Sequence, residues 1–324
     1  MADYTGGHST ALSPDAFQKA INAVVYEKYM RDDQPDALNA RDPFFFKQSQ
    51  GNEMVYLWDE DSNVGSFLET EEQADVVSED TFIGNTKSVR QRKFMKQIPV
   101  SFEAMKTEQV GINKRAEIGT QIADRARLSQ DKFTIADTYA DAFAGAISTT
   151  PDGDAWASDS HTTLKGANVD NLGTPALTAD GLWTMVQQLA NQKAQDGELG
   201  GQVFEGIVVP FILLKKVHET LDSDLIPFSG ENQVNIFQTI YGSNVRIKAS
   251  VFLGSTYNAN SNANTSYHVV SSNVQANRKT LVGLSSSYIP ETMTTNDTAV
   301  MRSKFMETHF VASWFGSVHS NGTT

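Results

Sequence analysis

The chain has 324 residues and a formal net charge of −13, from 26 lysines and arginines against 39 aspartates and glutamates. Such an acidic chain lacks the overall positive field that steers proteins onto nucleic acid or anionic membranes. It contains no cysteine, which excludes disulfide frameworks, thiol nucleophiles and cysteine-ligated zinc or iron–sulfur sites. Its longest apolar run, Gly206–Leu214, is about half as long as a membrane-spanning helix must be. Because the first residues lack a signal-peptide pattern, we expect an intracellular, cytoplasmic protein of about two domains.

The first fifty residues predict an arm with one helix. Ser13 is a suitable N-cap and Pro14 suits the first turn, and apolar residues follow at helical spacing. An isolated helix of this kind is marginal in water, so we expect it to dock on another surface. The aromatic run at 44–46 has no interleaved basic residues. It therefore predicts burial against a neighbouring molecule rather than stacking on nucleic-acid bases.

Charge is unevenly distributed in the next part of the chain. From Gln48 to Thr86 there are ten acidic residues and no lysine or arginine, whereas Lys87 to Lys132 has eleven basic residues against five acidic ones. Alternation from Lys87 to Phe102 predicts a strand. One face of that strand carries Arg90, Arg92, Phe94, Lys96, Ile98 and Val100. An acidic strand running out and a basic strand running back would form a hairpin whose charges set its register on a neighbouring copy; two solvated charged faces are the alternative.

The strongest helical pattern runs from about Asn113 to Ile147, where apolar residues recur every three or four positions until Pro151, Asp152 and Gly153 end it. A helix of that length measures about 50 Å and is an architectural element. A polar loop follows at 149–174.

Alternating helices and strands come next. Thr178 is placed to cap a helix, Val203–Val209 predicts a buried strand, Pro210 opens another helix, and Val245–Leu253 predicts a further strand. Such alternation indicates a small sheet covered by helices.

The last hundred residues begin with a segment rich in serine and asparagine, 255–277. We expect an exposed loop or hairpin tip there, interrupted by a short strand at Ser266–Ser271. Closing strands are predicted near Thr280–Ile289 and Thr298–Phe315.

The sequence carries no recognisable catalytic motif. Phosphate-binding, dinucleotide-binding and nucleophile-elbow patterns are all missing, and no two histidines have helical metal-ligand spacing. The densest cluster of candidate ligands is Asp152, Asp154, Asp159 and His161. It lacks the central glycine and final glutamate of a calcium loop, and such aspartates after a helix more often form turns. We therefore predict no catalytic, cofactor-binding or metal residues.

The order of these parts resembles the major capsid protein of tailed double-stranded DNA bacteriophages, the Hong Kong-97-type fold. Three stretches resemble it individually. They are RKFMKQIPVSFEAMKTEQ, WASDSHTTLKGANVDNLGTPALTADGLWTMVQQLANQKAQDG and GQVFEGIVVPFILLKKVHETLDS. The resemblance extends over about residues 14–316.

The resemblance implies an α+β fold in five parts. These are an N-terminal arm (1–47), an extended β-hairpin loop (48–100), a peripheral domain with a long spine helix (101–174), an axial α/β domain (175–285), and peripheral closing strands with a tail (286–324). The expected contacts between subunits involve Glu69, Glu71, Glu72, Arg90, Arg92 and Lys93.

The function that the resemblance implies is structural, not enzymatic. Copies of the chain would form hexamers and pentamers of an icosahedral shell, which encloses double-stranded DNA without sequence-specific binding, without a cofactor and without a membrane. Implied partners are a separate scaffolding protein, a portal and a cement protein, with assembly in the host bacterial cytoplasm and a final location in the virion capsid. Some relatives link subunits through a lysine of the extended loop. Gln48–Thr86 has no lysine, so we predict non-covalent stabilisation.

Three alternatives remain open. An encapsulin-type nanocompartment has the same fold and holds cargo enzymes. A metal-assisted hydrolase would use Asp152, Asp154, Asp159 and His161. A monomeric β-rich binding module would present the loop at 255–277.

Overall fold

The computed structural model describes residues 36–61, 83–101, 108–223, 235–241, 244–255, 263–289 and 298–323. The chain divides into two compact units. Gln91–Gln130 and Thr280–Glu307 belong to the first unit, and Gln34–Arg90, Asp131–Lys279 and Thr308–Thr324 belong to the second. The helix predicted to begin at Ser13 lies outside the described residues. No helix in the described part of the chain is long and apolar enough to cross a membrane.

The second unit is built on a five-stranded sheet in the order β7-β13-β10-β8-β9. Its strands are β7 (Leu172–Gly173), β8 (Gly206–Pro210), β9 (Arg246–Ser250), β10 (Tyr267–Val270) and β13 (Ser317–Ser320). Strands β8 and β9 are parallel, and β10 is antiparallel to both β8 and β13. The buried strand and the helix predicted around Pro210 are confirmed, but the strand begins at Gly206 rather than Val203 and includes Pro210, and a 3₁₀ turn at Phe211–Leu213 precedes the α-helix. The predicted strand at Val245–Leu253 is shorter, because its last three residues form a 3₁₀ turn.

The short strand predicted at Ser266–Ser271 is confirmed as β10. All four of its residues are buried, and it lies at the centre of the sheet between β8 and β13. Ser266 and Ser271, on either side of it, are buried as well, which corrects the expectation that this part of the serine- and asparagine-rich segment is exposed.

Helices cover one face of this sheet. Helix α2 (Ala179–Ala190) begins at Thr178, whose side chain accepts a hydrogen bond from the Gly181 amide, as the sequence predicted. Helices α3 (Leu214–Leu221) and α4 (Ile236–Ile240) complete the layer. Their apolar side chains pack with alternate residues of the strands, including Ile207, Val209 and Val269.

A second core contains residues from the opposite set of strand positions, including Val208 and Val270. It includes Phe45 and Phe46, both fully buried. This corrects the expectation that the aromatic run at 44–46 is buried against a neighbouring molecule: two of its three rings are core residues of their own unit. Phenylalanine has a large apolar surface, so its burial is strongly favourable. Here the interior of the same unit, rather than another molecule, buries the two rings.

Helix α1 spans Glu108–Asp137, about 45 Å for its 30 residues. The long helix is confirmed, but its predicted end at Ile147 is wrong. The chain turns ten residues earlier, where the Ala140 amide donates to the Ile135 carbonyl (2.9 Å). The Asp141 carboxylate then accepts from the amides of Ile147 (2.6 Å) and Ser148 (2.8 Å). The Asp141 side chain thus accepts the hydrogen bonds that backbone carbonyls would accept in a continued helix. The spacing of apolar residues contains no information about this replacement.

The predicted charged hairpin exists as β2 (Val55–Asp61) and β3 (Ile83–Arg90), which are antiparallel from Val55 opposite Arg90 to Asp61 opposite Ile83. The term hairpin below means these two strands. The single strand predicted from Lys87 to Phe102 is interrupted at Gln91, and β4 (Arg92–Ser101) follows. Strand β4 pairs with β12 rather than with the acidic strand.

The closing strands are confirmed as β11 (Ala276–Ile289) and β12 (Thr298–Val311). They lie in a four-stranded sheet, in the order β1-β11-β12-β4, with β1 at Lys47–Gln50. Phe94 of β4 and Phe305 of β12 face each other across the pairing and stack with ring centroids 4.9 Å apart. Two short strands, β5 (His161–Thr162) and β6 (Asn168–Val169), form a small separate ribbon.

Candidate functional site on the inward face of the charged hairpin

The hairpin has two chemically different faces because neighbouring strand residues point to opposite sides. Its outward face is exposed throughout and carries Val55, Leu57, Asp59, Thr86, Ser88 and Arg90. Leu57 is 70% exposed. Val55 on the same face is 48% exposed, and neighbouring exposed apolar side chains are more informative about a partner surface than a single one.

The inward face packs on the second unit, to which the hairpin itself belongs. Tyr56 is buried, with the Lys279 ammonium 3.7 Å from its ring centroid. The Trp58 ring lies 6.1 Å from that of Phe310. Aromatic and cation–π contacts of this kind each contribute about 1 kcal/mol beyond the area that they bury. The hairpin is therefore attached to its own unit along one face.

Glu60, the next residue on the inward face, is only 4% exposed. Its carboxylate accepts hydrogen bonds from the side-chain amides of Gln195 (3.0 Å) and Asn85 (3.4 Å). Burial raises the pKa of Glu60 to about 7, and the nearby Asp152 carboxylate adds to this rise. The two amide donors and His161 act in the opposite direction. Glu60 thus has a carboxyl group that changes its charge near neutral pH.

Lys87 extends from β3 to the loop that follows helix α1. Its ammonium donates to the carbonyl oxygens of Thr149 and of Ile147, the latter at 3.4 Å. Burial lowers the pKa of Lys87 to about 8, against the influence of Asp141 and Asp152. The hairpin is consequently joined to this loop by hydrogen bonds from a partly desolvated cation.

The structure brings together three of the four predicted metal-ligand candidates, Asp152, Asp154 and His161. Asp159 is exposed and lies outside this group. His161 is buried, with Nδ1 2.8 Å from Asp152 Oδ2 and Nε2 3.1 Å from the Trp156 carbonyl oxygen. Because both partners are acceptors, the ring satisfies both contacts when each nitrogen carries a hydrogen.

Asp152, Asp154 and His161 each have one potential ligand atom, and these atoms lie within 4.8 Å of one another. Burial alone would raise the pKa of Asp152, but hydrogen bonds from His161 and Thr150 hold that pKa below its usual value. A metal ion would have to displace His161 from one of its two hydrogen-bond partners before a ring nitrogen could ligate it.

The predicted contact residues are placed as follows. Arg90 ends β3 and is exposed, and Lys93 is exposed on β4. Arg92 is half-buried opposite Glu307, with its guanidinium 5.6 Å from the Phe94 ring centroid. Burial lowers the pKa of Arg92, and Glu307 opposes this effect. Glu69, Glu71 and Glu72 lie outside the described residues.

Sequence reasoning did not identify Glu60 and Lys87 as members of a buried network. A signal for Glu60 was present, since it continues the period-two series of Tyr56 and Trp58 and so belongs to the apolar face. No local signal identified Gln195, whose contact with Glu60 joins residues 135 positions apart.

No protein-family model matches the sequence, and a comparison with curated proteins found no similar sequence. Solved structures do match. The mature capsid of bacteriophage PhiM1 aligns with a TM-score of 0.57 at 12% identity, over 90% of this chain and 88% of that chain. The capsid of a native GTA particle aligns with a TM-score of 0.56 at 11% identity, over 90% and 95% of the two chains. The chain has the fold of phage capsid proteins.

The same capsid fold is found in a virus-like particle from Pyrococcus furiosus, which matches with a TM-score of 0.50 at 7% identity, over 93% of this chain and 98% of that chain. The resemblance inferred from the sequence is therefore confirmed at the level of fold. In this capsid fold, the network around Glu60 lies on the inward face of the hairpin, whose outward face is exposed.

Proposed function

We propose that the chain is the major capsid protein of a tailed phage, a structural subunit without enzymatic activity. The observation that carries this proposal is the shared fold along nine-tenths of the chain with the PhiM1 mature capsid. Copies of the chain form hexamers and pentamers of an icosahedral shell, which encloses double-stranded DNA and becomes the virion capsid. The acidic net charge supports this role, because a shell that must later release its DNA gains from weak attraction to it.

In this proposal, the five parts have distinct tasks. The extended loop (48–100) lies on a neighbouring copy, the axial domain (175–285) meets its equivalents around the capsomer centres, and the peripheral parts (101–174 and 286–324) form the rest of the shell. The arm (1–47) adds contacts between subunits. Acidic residues of the loop, Glu69, Glu71 and Glu72, are candidates for pairing with Arg90, Arg92 and Lys93 of a neighbour.

The proposed partners beyond further copies are a separate scaffolding protein, a portal and a cement protein, with assembly in the host bacterial cytoplasm. They follow from the role of a major capsid protein. An encapsulin-type compartment shares the fold and is distinguished by its contents.

Negative-stain electron microscopy of the expressed protein tests the proposal. We expect capsid-sized shells or hexameric and pentameric capsomers, and shells formed in cells that carry the phage genome should contain DNA. A homogeneous monomer at high concentration would overturn assembly. Shells that contain a cargo protein in place of DNA would favour the nanocompartment.

Substitution of the hairpin's outward face sharpens this test. Leu57→Asp adds a charge to an exposed position on the proposed contact face, so the yield of shells should fall about tenfold or more, because a charge must be desolvated there. Leu199→Asp is the matched control, since Leu199 is 69% exposed and is not part of the hairpin. Equal yields from the two variants would exclude the outward face as a specific contact.

A further inference from the structure

Glu60 occupies an unusual position for a carboxyl group. It lies on the inward face of a two-stranded hairpin, is almost fully buried, and is contacted by amides from β3 and from the loop after helix α2. The Gln195 side chain also accepts a hydrogen bond from the Leu164 amide (3.1 Å), so it connects Glu60 to the neighbouring loop. Any change at this carboxyl group therefore acts where the hairpin is attached.

The packing around this point is close. A Cβ atom on Gly84 of β3 would overlap the Leu164 side chain, so the hairpin backbone lies close to this side chain. The Glu60 side chain is 4% exposed, and an ionised carboxylate with so little access to solvent is costly.

The charged groups that act on Glu60 are Asp152, in the loop after helix α1, and His161, at the start of β5. Lys87 of β3 lies on the same inward face of the hairpin and is influenced by Asp141 and Asp152. Asp152 disfavours a second negative charge, whereas His161 favours it. Both His161 ring nitrogens already have partners, Asp152 Oδ2 at 2.8 Å and the Trp156 carbonyl oxygen at 3.1 Å.

We propose that Glu60 is a proton-controlled latch for the hairpin: the hairpin lies docked on its own unit while the Glu60 carboxyl holds a proton, and it is released when that proton is lost. The latch belongs to a single chain and would operate whether or not the chain assembles. In an assembling subunit, it would couple the availability of the hairpin to the pH of the surroundings.

The direction of the pH effect follows from proton linkage. The pKa of Glu60 is about 7 in the docked state and near the ordinary value of 4.5 when the carboxyl is in water. The docked state therefore binds the proton more tightly, and its stability is greatest below pH 4.5 and declines as the pH rises through 7. Lys87, with a pKa of about 8, keeps its proton in both states below that value. The window from pH 5.0 to 7.5 consequently reports mainly on Glu60.

The absence of cysteine from the sequence makes a clean labelling experiment possible. Val89→Cys places a single thiol on the inward face of the hairpin, and Ser88→Cys places one on the exposed outward face. The reaction of each thiol with 4,4′-dithiodipyridine is followed between pH 5.0 and 7.5. The ratio of the two rates removes the intrinsic pH dependence of thiol reactivity and reports the exposure of the inward face.

We expect this ratio to rise about tenfold or more over that window. In the Glu60→Gln background it should change less than twofold, because the titrating group is gone, whether the hairpin is then mainly docked or mainly released. The Asp59→Asn background is the matched control and should retain the rise, since Asp59 is exposed on the opposite face.

A ratio that does not change with pH, or an equal rise with Glu60→Gln, would overturn the latch. Circular dichroism at each pH confirms that all variants are folded. Electron microscopy of the same variants tests shell formation independently of the latch. Assembled particles with a pH-independent rate ratio would contradict the latch alone. A monomer with a pH-dependent rate ratio would contradict assembly alone.

Discussion

His268 and His319 illustrate how single residues depend on their surroundings in this protein. They lie opposite each other on β10 and β13 with their Nδ1 atoms 2.8 Å apart, and both are buried. One Nδ1 must donate and the other accept, so the contact requires at least one neutral ring. Burial lowers the pKa of His268 to about 3 and that of His319 well below its usual value.

This pair makes stability depend on pH. Each histidine has a lower pKa when folded than when unfolded, so its contribution is present above pH 6.5 and is lost as the pH falls. Between pH 7 and pH 5, the free energy of unfolding should fall by about 2 kcal/mol for each buried histidine. In urea denaturation, the free energy of unfolding of His268→Asn should fall less between pH 7 and pH 5 than that of the wild-type protein. His218→Asn, at an exposed position, should follow the wild-type protein; an unchanged slope for His268→Asn would contradict the assignment.

Residue roles could be predicted only in part. Thr178 was identified as an N-cap because capping depends on residues three positions apart. The fate of Glu60 depended on Gln195 and Asp152, which are distant in sequence. Likewise, Asp152 and Asp159 are the same type of residue in the same loop, but of the two only Asp152 contacts His161.

At the scale of elements, α2 shows how a local signal acts. The Thr178 side chain accepts from the Gly181 amide at 3.1 Å, which satisfies a donor that the helix itself cannot. Thr178→Ala should reduce the free energy of unfolding by about 1 kcal/mol, as measured by urea denaturation at neutral pH.

Thr184→Ala is the control for this prediction. Thr184 lies in the same helix, is exposed, and donates to the Asp180 carbonyl oxygen (3.0 Å). Its replacement should leave stability unchanged or raise it slightly, because alanine has the higher helix propensity. An equal loss from both substitutions would show that the cap contributes nothing specific.

The sequence predicted the helices and strands better than it predicted their boundaries and the pairing partners of the strands. Apolar spacing continued past Asp137 because the turn at 138–144 packs its own apolar side chains, including Ala140 and Ala142, into the core. The same limit applies to β4: its alternation predicted a strand correctly, but alternation does not distinguish between β2 and β12 as the neighbour.

For the whole molecule, the cohesion of the proposed shell should be non-covalent. Gln48–Thr86 contains no lysine, and the Lys87 ammonium is held by two carbonyl oxygens of its own chain. Boiled shells should therefore run as a single 35.5 kDa band on a denaturing gel. A ladder of larger bands would contradict this. Lys93 is exposed, so Lys93→Arg would then show whether it forms the cross-link.

The sequence by itself determined the order and type of most elements, the charged hairpin, the N-cap of α2 and the absence of cysteine chemistry. These features depend on residues within a few positions of one another, and their order was sufficient to indicate the capsid fold. The tertiary structure alone decided where α1 ends, that β10 is a central strand, that β4 pairs with β12, and that Glu60 is buried. The end of α1 depends on hydrogen bonds to Asp141 within the turn that follows. The other three depend on burial and on contacts between distant segments, which outweigh local preference.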